Sequence, residues 1–128
     1  TALHVMLRQL ARGDRKLVSL EDPIEAIFDG VLQIDASVFR GRSQAAALRA
    51  LLRHDPDVLM IGELGEGRAF EVVEHAASSG VLVLAGLRAP SAGTAVGALR
   101  RLGANRSALR HLMRGFLVQH ALRTVCKE

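Results

Sequence analysis

Carboxylates stand directly behind two short apolar runs in this chain. Leu17 to Leu20 is followed by Glu21, Asp22 and Glu25, and Val58 to Ile61 is followed by Gly62 and Glu63. A third apolar run, Val81 to Ala85, is followed by Gly86, Leu87 and Arg88. If the three runs are parallel strands of one sheet, their ends share one edge, and α/β sheets take their ligands at that edge. Acids gathered there can face Mg²⁺ or orient a water, and an arginine can contact a phosphate. The plainer alternative is ordinary loop polarity after each strand.

Each of those side chains needs a rigid element behind it. Val58 to Ile61 lies between Pro56 and Gly62, the pattern of a short strand buried on both faces. Val81 to Ala85 is apolar throughout and reads the same way. Leu17 to Leu20 ends early because Pro23 has no amide proton and turns Asp22 away from helix, which leaves the acids just beyond the strand. Ala26 to Gly30 reads as a turn. Val31 to Ala36 alternates apolar and polar residues and predicts a half-exposed strand.

Helical patterns fill the spaces between. Leu3, Met6, Leu7 and Leu10 form one stripe over Ala2 to Ala11, ended by Gly13-Asp14. Ser43 is placed as an N-cap for Gln44 to Arg53, with Leu48, Leu51 and Leu52 inward. Arg68 to Ser79 carries Phe70, Val73, Ala76 and Ala77 on one side. Ser91 or Thr94 caps a helix reaching about Leu102, stopped by Gly103. Arg106 to Met113 repeats the pattern, and the spacing over Phe116 to Val125 fits a helix turning into a final strand without deciding between the two. Helices alternating with apolar strands predict an α/β domain over residues 1–128, a mostly parallel sheet with helices on its faces. There is no internal repeat, low-complexity tract or linker.

Composition narrows the chemistry. The 49 % hydrophobic content suits a folded domain, and with no Trp or Tyr the core must be Leu, Val, Ile and Ala. The net charge of +4 permits phosphate, nucleic acid or an anionic surface. The aromatic platforms of a single-strand binder are absent, so Arg100, Arg101, Arg106, Arg110 and Arg114 read as solvated helix faces. His4, His54, His75, His111 and His120 show no metal-ligand spacing and read as surface or internally satisfied residues. Cys126 is the single cysteine, which excludes an internal disulfide and disfavours zinc. No apolar run approaches the roughly 18 to 20 residues of a membrane span. The phosphate loop Gly-x-x-x-x-Gly-Lys-Ser/Thr does not occur. The chain opens inside a helical pattern, so a fragment is expected.

These residues together resemble a known family. Glu21-Asp22-Pro23-Ile24-Glu25 is similar to the acidic box of the secretion ATPases, the type II secretion protein E and type IV pilus assembly and retraction ATPases. Leu48-Arg49 and Leu52-Arg53-His54-Asp55-Pro56-Asp57-Val58-Leu59-Met60-Ile61-Gly62-Glu63 resemble their Walker B region. Gly80 to Leu87 falls where they carry a histidine box, and Arg114-Gly115, Gln119, Arg123 and Cys126 resemble the segment closing their ATPase core.

The resemblance implies a RecA-like P-loop NTPase core, truncated at its N-terminal side. It implies a cytoplasmic protein peripheral to an inner membrane, a hexamer in full form, docked on secretion or pilus platform proteins. It would couple ATP hydrolysis to pilin or pseudopilin assembly or retraction. Glu21 matches the acid that polarises the attacking water. Glu63 matches the Walker B acid near Mg²⁺, an indirect metal contact. Asp22, Glu25, Gly62 and Arg88 fall at nucleotide-binding or sensing positions. ATP and Mg²⁺ are the implied cofactors, held weakly or not at all by this segment alone, and no nucleic acid is expected.

The departures are specific. Gly65-Glu66 stands in place of an Arg-Asp pair, Val81 and Arg88 in place of two histidines, and Gly86 in place of a threonine. They motivate a second reading, a non-catalytic ATPase-like subunit that acts by assembly. If the strand before the phosphate loop is missing, a central sheet position is expected to be empty, exposing two strand edges.

Overall fold

A computed structural model describes residues 1–121. Its elements run α1 (Ala2–Leu10), β1 (Leu17–Glu21), β2 (Val31–Asp35), a 3₁₀ turn (Ala36–Phe39), α2 (Gln44–Leu52), β3 (Val58–Ile61), α3 (Gly67–Ser78), β4 (Leu82–Ala85), α4 (Ala92–Arg101) and α5 (Arg106–His111). The four strands form one sheet in the order β2-β1-β3-β4, and every neighbouring pair is parallel. The α/β class with a parallel sheet and flanking helices is therefore as the spacing of apolar runs implies.

Strand alternation divides the core into two layers. Val18, Leu20, Leu59 and Ile61 point to one face, where they meet Leu48 and Leu51 of α2 and Phe70 and Val73 of α3. Leu17, Val58 and Met60 point to the other face and pack on Leu7 of α1, with Leu3 and Leu10 at its margin. Ser19 and Glu21 share that second face with Leu17. An apolar strand buried on both faces thus carries two polar residues on the side where only one helix covers it.

Local signals end the helices as expected. Ser43 accepts from the Ala46 amide at the start of α2. Ser91 and Thr94 are both used at the start of α4, since the Ser91 hydroxyl accepts from the Thr94 amide while the Thr94 hydroxyl accepts from the Ser91 amide. Gly103 ends α4 with φ +107°, a conformation that favours glycine.

Three expectations change. No sheet position between the described strands is empty, because β1 bonds directly to β3 and β3 to β4. The outer edges are β2 and β4. Second, β4 is not buried throughout: Leu82 is 38 % exposed and its followers are half-buried, because β4 has a strand partner on one side only among the described residues. Third, residues 113–121 form neither helix nor strand. Arg123, Cys126 and the end of the Phe116 to Val125 segment lie outside the described residues.

Candidate functional site

Parallel strands bring their carboxyl ends to one edge. Glu21 closes β1 and is its last paired residue, so it sits one position earlier than the loop expected for it. Gly62 follows β3 and donates its amide to the Leu20 carbonyl at 2.9 Å, locking the two strand ends together. Gly86 continues the β3–β4 pairing by donating to Ile61 O at 3.0 Å and accepting from Leu64 N at 2.9 Å. A Cβ on Gly86 would lie 2.0 Å from the Gly62 carbonyl oxygen. On this backbone a threonine at that position is excluded, so Gly86 is what lets the ends of β3 and β4 close on each other.

The edge opens into a crevice of about 620 Å³ whose walls include Glu21, Asp22, Glu25, Gly62, Glu63 and Arg88. All six residues singled out from the sequence thus border one cavity. The starts of α1 and α2 also open on it, through Thr1 and Leu3 and through Ser43 and Gln44. A helix start offers amide protons and a partial positive charge, favourable for an anion. Arg88 Nε lies 2.7 Å from Glu63 Oε1 across the mouth, and both side chains are largely exposed.

Glu21 lies deeper, at 3 % exposure. Its Oε1 accepts from Ser19 Oγ at 2.7 Å and from Gln33 Nε2 at 2.9 Å. Its Oε2 lies 2.7 Å from His4 Nε2. Burial by itself pushes the carboxyl upward. The hydrogen bonds from Gln33, His4 and Ser19 outweigh burial and hold it below the usual carboxylate value. Glu21 is thus an ionised, fixed acceptor.

Sequence reasoning missed these three partners. Ser19 was detectable, since a polar residue two places before Glu21 must share its face. Gln33 faces Ser19 across the β1–β2 register. It also accepts from Phe28 N at 2.7 Å and donates to the Ala26 carbonyl at 2.8 Å, so one side chain ties the acid to the loop after β1. His4 is internally satisfied, but by the site's own acid rather than by a bystander.

The departures sort by position. Val81 precedes β4 at the amino end of the strand, away from the crevice, and packs on the main core layer. Val81 is therefore not part of the crevice wall. Glu66 Oε2 accepts from Gln44 N at 3.1 Å, and Gln44 returns a bond to the Glu63 carbonyl at 2.7 Å. The Gly65-Glu66 turn therefore still fastens Glu63 to α2.

Among the described residues no group of three or more His, Cys, Asp or Glu side chains could hold a metal unaided. One carboxylate at the mouth, completed by phosphate oxygens and water, is a donor set that Mg²⁺ accepts. The residues fit an ion arriving with a phosphate. No helix among the described residues is long and apolar enough to cross a membrane.

Known proteins resemble this chain in sequence and in fold. The chain is 34 % identical over 128 residues to the type II secretion system protein E of Pectobacterium carotovorum subsp. carotovorum, covering 100 % of this chain and 26 % of that protein. It is 33 % identical over 123 residues to the type IV pilus assembly ATPase PilB of Thermus thermophilus, covering 96 % and 14 %. It thus spans about a quarter or less of the length of these relatives. The crystal structure of the pilus retraction motor PilT with bound ADP superposes with a TM-score of 0.63 at 30 % identity, covering 75 % of this chain and 29 % of that one. The pattern that defines the type II/IV secretion system protein family matches residues 1–128 from end to end, and the chain belongs to that family.

Proposed function

We propose that this chain forms the acidic-box and Walker B part of an ATPase core whose ATP hydrolysis drives pilin or pseudopilin assembly or retraction. The observation that carries the reading is the convergence of Glu21, Glu63 and Arg88 on one crevice at the carboxyl edge of a parallel sheet. In this reading Glu21 orients the attacking water, since its charge is held and its carboxylate cannot swing. Glu63 would help hold Mg²⁺, which when bound would supply positive charge against the phosphates. Arg88 leaves Glu63 for a phosphate oxygen, a contact its planar fork suits. Asp22, Glu25 and Gly62 line the approach to the nucleotide. ADP bound by PilT supports a nucleotide as the ligand class.

Residues 1–128 contain no Gly-Lys-Ser/Thr phosphate loop, so the segment by itself is expected not to turn over ATP. A hexamer on an inner-membrane platform, at the cytoplasmic side, completes the proposal by likeness to the family. The test is Mg²⁺-dependent ATP hydrolysis by the whole protein. Glu63→Gln and Glu21→Gln are each expected to lower kcat by at least about 100-fold while ADP binding persists. An active protein indifferent to both substitutions sinks the assignment of roles. A whole protein that binds no Mg-ATP, and whose oligomer forms regardless, favours the assembly subunit instead, the reading prompted by Val81, Gly86 and Gly65.

A further inference from the structure

His4 is the residue that the proposed reaction does not yet use. It stands on the first turn of α1, seventeen positions before Glu21, and reaches the acid across the sheet face. Its ring is held on three sides. Nε2 lies 2.7 Å from Glu21 Oε2, and Nδ1 lies 2.9 Å from Thr1 Oγ1. The ring of Phe28 packs against it at 5.4 Å between centroids. Phe28 is itself fixed through its amide by Gln33, which also binds Glu21. The imidazole and the carboxylate are therefore clamped by the same strand and loop.

Counting acceptor positions shows what His4 decides. An ionised carboxylate has about four lone-pair sites. Ser19 and Gln33 take both on Oε1, and His4 takes one on Oε2. The single site left is the second lone pair of Oε2, and the direction in which it points depends on where His4 holds that oxygen. An ionised acid can only accept, so Nε2 must carry a proton, and Nδ1 is then served by the Thr1 hydroxyl. Glu25 Oε2, 3.6 Å from Nδ1, is the other charged group facing the ring.

We propose that His4 is the positioning residue of Glu21: its Nε2–H fixes Oε2 so that one lone pair faces the crevice and orients the attacking water. This rests on the assignment of Glu21 above and deepens it. In this role His4 acts through Glu21 and is not itself the group that meets the phosphate.

Two measurements on the whole protein test it. The first is steady-state hydrolysis with Mg-ATP. His4→Phe keeps the ring and its packing on Phe28 but removes the donor. It is expected to lower kcat roughly 10- to 100-fold, the scale of a misplaced catalytic group, with KM for ATP within about twofold. His4→Gln carries an amide N–H near the Nε2 position and is expected to recover most of the loss. A merely structural role predicts no such recovery from a ringless, more flexible side chain. Unchanged kcat in His4→Phe overturns the proposal, as does equal loss in both variants or a rise in KM with kcat intact. The second is ¹⁵N NMR of the His4 ring in the unsubstituted protein. A protonated Nε2 coupled across a hydrogen bond supports the contact, and a bare Nε2 overturns the proposal whatever the turnover. An inactive whole protein with a protonated, bonded Nε2 counts against the ATPase assignment alone.

Discussion

A buried carboxylate can be made stable in two ways, by staying neutral or by being fully hydrogen-bonded. Glu21 takes the second route, with Gln33, His4 and Ser19 as donors. The sign of its effect on stability follows. In the unfolded chain the group takes up its proton at the ordinary value, and in the folded protein only at lower pH. The unfolded state therefore binds more protons as pH falls. The stability from Glu21 is full above the unfolded value and is lost as pH drops through the folded one. Denaturant melts from about pH 6 to about pH 3 are expected to show a steeper loss for the unsubstituted chain than for Glu21→Gln. Parallel curves for the two would show that the acid makes no linked contribution. Arg88 and Glu63 behave differently, because both are open to solvent. Arg88→Ala is expected to change folding stability by no more than about 1 kcal/mol, read by the same melts.

At the scale of the element, strand ends and the turns behind them hold the chemistry, and backbone contacts fix those turns. Gly86 allows β4 to close on the Gly62 turn, and a methyl group there must displace a backbone carbonyl from 2.0 Å. Gly86→Ala is expected to cost about 1–3 kcal/mol in unfolding free energy, the range of overpacked sites. A neutral Gly86→Ala would mean that the two strand ends are not in this contact. The capping box of α4 gives a smaller effect. Ser91→Ala removes the acceptor for the Thr94 amide and is expected to cost about 1 kcal/mol. The amide-exchange rates of the first α4 turn would rise with it, which separates a lost cap from a general loss of stability.

At the scale of the whole molecule the two sheet edges are unequal. Each edge exposes one leucine, Leu32 at 40 % on β2 and Leu82 at 38 % on β4, but the β4 side also shares a groove with the exposed Phe116, Leu117 and Val118. A flat apolar edge is a template for another strand. Residues 1–128 as an isolated segment are expected to self-associate with rising concentration, and Leu82→Lys is expected to weaken that association in sedimentation measurements. A segment that stays monomeric at high concentration would contradict the expectation. The sequence pointed to an exposed edge for a different reason, an empty slot within the sheet. Direct pairing of β1 with β3 moves the exposure to the outer strand.

What the sequence determined by itself is local. Apolar runs of four or five residues cut off by Gly62, Pro23 or Gly86 define strands whose ends are polar, because backbone preference and burial act over neighbouring residues. Glu21, Glu63 and Arg88 were legible for that reason, and so were Ser43 and Ser91 as caps. Which helix crosses which strand is not a local property. Nothing in the spacing of five histidines separates His4 from the rest, since its meaning comes from α1 lying over the Ser19–Glu21 face of β1. The same holds for Val81, whose distance from the crevice depends on which end of β4 it occupies. The tertiary structure decided these because hydrogen bonds to Glu21 join residues up to seventeen positions apart, and only packing sets their directions.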